Sequence, residues 1–440
     1  MNDNKNVVFY PYVYTDEEKN ALDRFVAGEP IETADDQMIM DLATSIEPIS
    51  PFAMELYARC WDRYNPLYNN YEYAKQTWYG NIPMIPASLE VSARAALPKE
   101  LGDIAYPSTE PLIGDGYDHE LFFYAPTYAG DSFEIKMGKN NYVDITPQGG
   151  STLRSFIMIC EAEVYNQRKE LVAKAKMHWP EFRKKQLCTT DVGKDLRVQN
   201  PLPKDDYIRP PHKYTPDDWK YIENIWNNEK IRGSNTLYWE DVSIGDEPTW
   251  TAEAPMTAID MIRLHAFTIM EGSIMGGSLV GGIPLREWLE QHIGPYARMS
   301  DGTIHSAMEK HFGGDRPEFY NVTGRNQIIR MVTNWCGDDG FVTKVAWRMI
   351  NEAPPDKQIN HFPEDYFRPS YLLQVPYLKA AGKFMNTHGR CPDCSIVKGY
   401  VYKKWADTNG HYVELACWCE DLDGNIHTEA SVAVRLPAKR

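Results

Sequence analysis

Apolar and polar positions alternate most regularly near the C-terminus. From Lys398 to Pro437 the chain reads KGYVYKKWADTNGHYVELACWCEDLDGNIHTEASVAVRLP. Two strand-like runs of period two are punctuated there by Asn409-Gly410 and Asp423-Gly424, dipeptides that favour tight hairpin turns. A second alternating run follows Phe123–Asp131 (FYAPTYAGD) and leads into Glu161–Glu170 (EAEVYNQRKE). Helical spacing is read near Asp36–Leu67, and a buried helix is expected to begin after Pro86. Thr215-Pro-Asp-Asp-Trp219 predicts a short capped helix, with Thr215 as N-cap and Pro216 in the first helical position.

The breaks in these patterns divide the chain. Residues 1–35 form an amphipathic lead-in, 36–185 a first unit, 186–235 a linker rich in Pro, Asp and Lys, and 236–440 a second unit. A length of 440 residues suits two such units, each able to bury a core. With 43% hydrophobic and 25% charged residues the composition is that of a soluble globular protein. No apolar run approaches the roughly 18 to 20 residues that span a bilayer. The N-terminus lacks a basic region followed by an apolar one, so a cytoplasmic location is expected, without membrane association. A net charge of -16 and the absence of long Lys/Arg runs argue against nucleic acid as a partner.

The eight cysteines include a CPDC stretch at Cys391 and Cys394 and a CWC at Cys417 and Cys419. Their spacing invites a zinc reading. Two cysteines two apart on a strand share a face and do not form the second turn of a zinc site, so reduced cysteines packed as small apolar residues, and no metal, are expected. There is no G-x-S-x-G, no H-E-x-x-H and no dinucleotide fingerprint. The run SIMGGSLVGG lacks the Lys-Ser/Thr ending of a phosphate loop, and nothing points to a redox cofactor. No cofactor is expected.

Trp61–Ser88, WDRYNPLYNNYEYAKQTWYGNIPMIPAS, carries a resemblance to a known family. It resembles the substrate-handling segment of the MaoC-like (R)-specific enoyl-thioester hydratases and 3-hydroxyacyl-thioester dehydratases. That segment runs G-D-x-N-P-x-H, then an acidic or amide residue, an Ala and a Gly. Asn65-Pro66-Leu67, Tyr73-Ala74 and Gly80 keep the frame. In this register Arg63 stands where the family has Asp and Tyr68 where it has His, and Asp62 is one residue early. FYAPTYAGD with the run after it resembles the family's opening of a strand followed by two long strands joined by a polar turn. Leu237–Ile262 resembles the start of a second repeat. The resemblance implies an α+β double hotdog, in which each repeat wraps an antiparallel sheet around a long central helix and the two sheets pair within the chain.

A subset of two-repeat members has a longer connection, a His, and a Tyr-led helix ending in T-N/D-W-x-G-D-D. His305, Tyr320 (YNVTGRNQIIRM) and Thr333–Asp339 (TNWCGDD) match that arrangement. The resemblance therefore implies His305 as the acid/base group of the second repeat, with Asp301 or Glu271 as carboxylate partner and His265 or His311 as alternatives. Substrate contacts are expected from Tyr320, Asn321 and Gly324 at the start of the second central helix, and from Asn65, Tyr68 and Ser88 in a non-catalytic, acyl-binding first repeat. Asp338 and Asp339 are expected to cap or terminate the helix. The implied activity is a hydro-lyase interconverting enoyl-CoA and 3-hydroxyacyl-CoA, or acyl carrier protein thioesters, by metal-free acid/base catalysis. A non-catalytic thioester-binding partner subunit and a hotdog thioesterase remain as alternatives. Lys383, Arg390, Lys398, Lys403 and Lys404 are either a patch for coenzyme A phosphates or a solvated strand face. Homo-oligomers are expected. The many aromatic residues leave open a ring-bearing acyl group.

Overall fold

A computed structural model describes residues 14–29, 45–46, 51–89, 97–104, 118–144, 153–184, 212–256, 321–349, 383–384 and 394–439. Twelve strands among them form one sheet. They are β1 (Ser45–Ile46), β2 (Asp103–Ile104), β3 (Asp118–Phe123), β4 (Phe133–Asp144), β5 (Leu153–Asn166), β6 (Leu171–Lys184), β7 (Thr251–Glu253), β8 (Phe341–Met349), β9 (Lys383–Phe384), β10 (Ser395–Asp407), β11 (Gly410–Glu420) and β12 (Asn425–Leu436). Their order is β1-β4-β5-β6-β3-β8-β12-β11-β10-β7, with β2 beside β6 and β9 lying parallel to β12. All other pairings are antiparallel. The two halves meet where β3 pairs with β8, Leu121 opposite Val345. This is the double hotdog arrangement, with the sheets of both repeats continuous within one chain.

Local chemistry explains the strand boundaries. The two alternating runs expected near the C-terminus resolve into three strands, because each Gly-containing turn reverses the chain. Gly424, with φ 77°, and Gly410, with φ 153°, take conformations that suit glycine. Between β5 and β6 the Asn166 side chain accepts hydrogen bonds from the Arg168 and Glu170 N–H groups and shapes the polar turn.

Five helices are described: α1 (Asp16–Ala27), α2 (Pro51–Trp61), α3 (Tyr71–Ala74), α4 (Pro216–Asn228) and α5 (Asn321–Cys336). Helix α5 lies against the second half of the sheet, where Ile328, Ile329, Met331 and Val332 join Val401, Val413, Leu415 and Val432 in the main core. At Gly324 the approach to β12 is so close that a Cβ would sit 2.3 Å from the Thr428 Oγ1. The lead-in is part of the first half: Glu18 of α1 accepts from Arg154 of β5 at 3.0 Å in a fully buried ion pair.

Of the helical pattern read over 36–67, Ser45–Ile46 is a strand and Pro51–Trp61 is helix α2, and the other residues before Pro51 lie outside the described residues. Helix α2 ends at Trp61, because the Asn65 side chain takes the Leu67 N–H at 3.1 Å and Pro66 has no N–H to continue a helix. Thr215 caps α4 with Pro216 at its first position, as expected, and a reciprocal bond from Asp218 completes the cap. Ile222 and Ile225 pack α4 onto Ala252 and Ile396, and the Trp226 indole donates to the Ala252 carbonyl at 2.9 Å. That part of the linker is therefore docked on the second half. Cys394, Cys417 and Cys419 are fully buried thiols, and among the described residues no three His, Cys, Asp or Glu groups cluster as metal ligands. Lys398 is paired with Glu420 and Lys403 with Glu414, while Lys404 donates to the Val242 carbonyl.

Candidate functional site

The C-terminal end of α5 meets the segment after α2 across the junction of the two halves. Three turns of α5 bury polar side chains alongside the apolar ones of the core: Thr323, Arg325, Asn326, Gln327, Thr333 and Asn334 are all buried. Burying such groups is costly unless they are bonded. Asn326 donates to the Tyr57 hydroxyl of α2 at 3.1 Å, and the Ser395 hydroxyl donates to the Gln327 side-chain oxygen at 2.5 Å. Asn65, placed by the turn after α2, donates to Asp62 at 3.1 Å and to the Asn334 side-chain oxygen at 3.2 Å.

Asp62 is the least expected member. It is 3% exposed, and burial pushes its carboxyl up to about 7 against the opposing pull of Arg330 and the Asn65 and Asn334 amides. Arg330 is ion-paired with Glu229 and Glu253, which bring the α4 end and β7 to the same place.

Beside this network lies a cavity of about 30 Å³. That is room for a water molecule or two and no more. Its polar lining comes from Asn65, Tyr68, Thr333 and Asp338, and its apolar wall includes Leu67, Met84, Phe123 and Phe341. The Tyr68 phenol is held well above its ordinary range, chiefly by burial, so it remains an O–H donor. Asp338 is buried, accepts the Tyr73 hydroxyl at 2.6 Å, and is raised by burial and by the neighbouring Asp339. The linker closes the cavity: Gly233 lines it, the Arg232 N–H donates to the Asn334 carbonyl at 2.9 Å, and the Asp338 N–H donates to the Gly233 carbonyl at 3.0 Å. Gly337, at φ 73°, faces the Gly233 carbonyl so closely that a Cβ would come within 2.8 Å.

The structure brings together only part of the expected site. Asn65 and Tyr68 line the cavity, and the turn Pro86–Ser88 reaches it through Pro86. The Ser88 hydroxyl is turned to the Ile85 carbonyl at 2.7 Å. Asn321 opens α5, and Gly324 faces Thr428 on the sheet. His305, Asp301, Glu271 and Tyr320, with His265 and His311, lie outside the described residues. Sequence reasoning passed over Asp62 and took Asp338 as a helix terminator. It does follow the helix end at Cys336, yet a carboxylate at a helix C-terminus is electrostatically disfavoured, and that misplaced charge was the available signal.

No family model matches the chain, and no curated protein matches it. Solved structures do. One described as a MaoC-like dehydratase is 12% identical, with 91% of this chain and 99% of that chain covered and a TM-score of 0.44. A putative MaoC domain protein dehydratase from Chloroflexus aurantiacus is 11% identical over 90% of this chain and 96% of its own, at a TM-score of 0.41. A conserved hypothetical protein from Mycobacterium tuberculosis, described as having a double hotdog fold, is 8% identical over 89% and 94%, at 0.42.

Proposed function

We propose that the chain is a hydro-lyase interconverting enoyl and 3-hydroxyacyl thioesters of coenzyme A, and that the cavity between its halves holds the reacting water. The observation that carries this reading is the convergence of Asn65, Tyr68 and the Asp338 carboxylate on a water-sized space, in the segment that resembles a hydratase's substrate-handling loop.

Hydration adds water across the C2–C3 double bond of the acyl group. Asp338, whose carboxyl is raised by burial and steadied by Tyr73, takes a proton from water as oxygen attacks C3 and returns it to C2. The Tyr68 O–H, held on the same cavity, orients the attacking water. Asp62 does not line the cavity; through Asn65 it positions the amide side chain that does. His305, with Asp301 or Glu271, is the corresponding acid/base set in the second repeat.

The test is loss of the enoyl-thioester absorbance for wild type, Asp338→Asn and His305→Ala with straight-chain and aromatic enoyl-CoAs. Loss of activity in Asp338→Asn alone assigns the chemistry to the cavity; loss in His305→Ala alone assigns it to His305. Thioester hydrolysis is the second reading, favoured by a cavity whose described lining holds a carboxylate and no histidine. Release of free coenzyme A without hydration would establish it. Neither reaction with any substrate would leave a thioester-binding partner subunit.

A further inference from the structure

Outside the wall formed by Trp78 and Phe341 lies a second, open groove of about 400 Å³. Its volume falls within the roughly 300 to 1,000 Å³ of small-molecule sites. Trp78, Asp339, His411 and Arg435 line it.

Each of these side chains is held in place. The Trp78 indole N–H donates to the Asp338 carbonyl at 2.8 Å, its ring packs against Tyr79 at a tilt of 31° with centroids 3.9 Å apart, and it meets Phe341 edge-on at 6.1 Å. It is nonetheless 46% exposed, so a held aromatic ring is partly presented to the groove. The Arg435 guanidinium lies over Phe341 at 5.3 Å and forms no ion pair among the described residues. Asp339 accepts from the Thr236 hydroxyl at 2.5 Å, which orients its carboxylate. His411 rests against Trp239 at 5.0 Å.

A planar ring platform, a guanidinium with donors to spare, and an oriented carboxylate define a ligand that is flat at one end, anionic at another and carries hydroxyl or amino donors between. Aromatic faces stack on bases, guanidinium groups bind phosphate, and carboxylates accept from ribose hydroxyls. We propose that this groove is a nucleotide site: the base stacks on Trp78, a phosphate binds Arg435, and the ribose or an exocyclic amine donates to Asp339. The ligand is a free nucleotide or the nucleotide end of coenzyme A; the second source alone rests on the hydro-lyase reading.

The experiment is calorimetric titration of the full chain with ADP, inorganic phosphate and coenzyme A, none of which requires turnover. ADP should bind at least about tenfold more tightly than phosphate, since the base contributes stacking. Trp78→Ala and Arg435→Gln should each weaken ADP by about tenfold or more, whereas Trp78→Phe, which keeps a ring, should stay near wild type. Coenzyme A binding more tightly than ADP, and displaced by it, identifies the carrier's tail as the ligand; equal or weaker binding identifies a free nucleotide. Absence of ADP binding, ADP binding no better than phosphate, or ADP binding unchanged in Trp78→Ala and Arg435→Gln would overturn the proposal.

Discussion

The two ends of α5 are both buried, and for opposite reasons. Near its start, Gly324 lets the helix press on β12 because it has no side chain, and the contact is pure shape. Near its finish, Asn334 and Asp338 are buried although they are polar, and their side chains are hydrogen-bonded to Asn65 and Tyr73 of the first half. One end fixes how the helix sits on the sheet. The other creates groups whose protonation is no longer that of a surface carboxylate. The same helix thus anchors the second half's core and completes a cavity in the first half's segment.

The sharpest way to break this contrast is Asp338→Asn, which keeps shape and removes the base. Under the proposed function, activity should fall about 10²- to 10⁴-fold with the fold retained, the usual share of a general acid/base group. Enoyl-CoA hydration rates with circular dichroism as a folding control check it. Unchanged hydration would reduce the polar end to a structural network.

Asp62→Asn should act on stability and its pH dependence. The native carboxyl holds its proton up to about 7, whereas the unfolded one ionises near its ordinary value of 3.8. The contribution is therefore fully present below the unfolded value and is lost as pH rises through about 7. The loss across that window is about 4 kcal/mol if the whole shift is realised. The buried His119 and His427 run the other way: lowered to about 3 by burial, they favour the native state above their ordinary 6.5 and lose that contribution as pH falls. Denaturation by urea at a series of pH values should show Asp62→Asn gaining on wild type as pH rises from about 4 to 7. Parallel curves would show that Asp62 ionises normally in the fold.

At the other end, Gly324→Ala forces a Cβ into Thr428 and should cost about 1 to 3 kcal/mol with no change in the pH profile of whatever activity remains. Thr428→Ala in the same chain should recover part of it, since it removes Oγ1 and Cγ2 and leaves only the Thr428 Cβ in the way. A cost that is additive in the double variant would mean that the close approach at Gly324 does not set the packing.

The sequence made one of these ends far more legible than the other. Period-two alternation and the Asn-Gly and Asp-Gly turns announced the hairpins that receive α5, and Asn65-Pro66 announced the turn after α2. Thr215 and Pro216 announced α4. These are local signals, carried within a few residues. The proton on Asp62 is not local: it depends on Asn334 being brought up from 272 positions away and on Arg330 being shared between Glu229 and Glu253. Asp338 was legible as a position, following the helix end, but its burial by the 232–233 strap and by Tyr73 was not. Register counting against a motif found Arg63 and Tyr68 and so pointed away from the carboxylate one residue earlier.

Tyr73→Phe is the mildest of the changes and separates positioning from packing. Tyr73 belongs to the first half, its hydroxyl donates to Asp338, and that bond lowers the Asp338 carboxyl against the raising effect of burial. Removing the hydroxyl keeps the ring and should cost only about 1 kcal/mol of stability, the net value of one hydrogen bond. The Asp338 carboxyl should then rise further, so the acidic limb of the hydration pH profile moves to higher pH while the plateau rate changes little. A purely structural tyrosine would lower the plateau or the stability and leave the limb where it was. A shifted limb would tie the first half's hydroxyl to the second half's carboxylate as one functional unit, which is what the polar end of α5 has and the glycine end lacks.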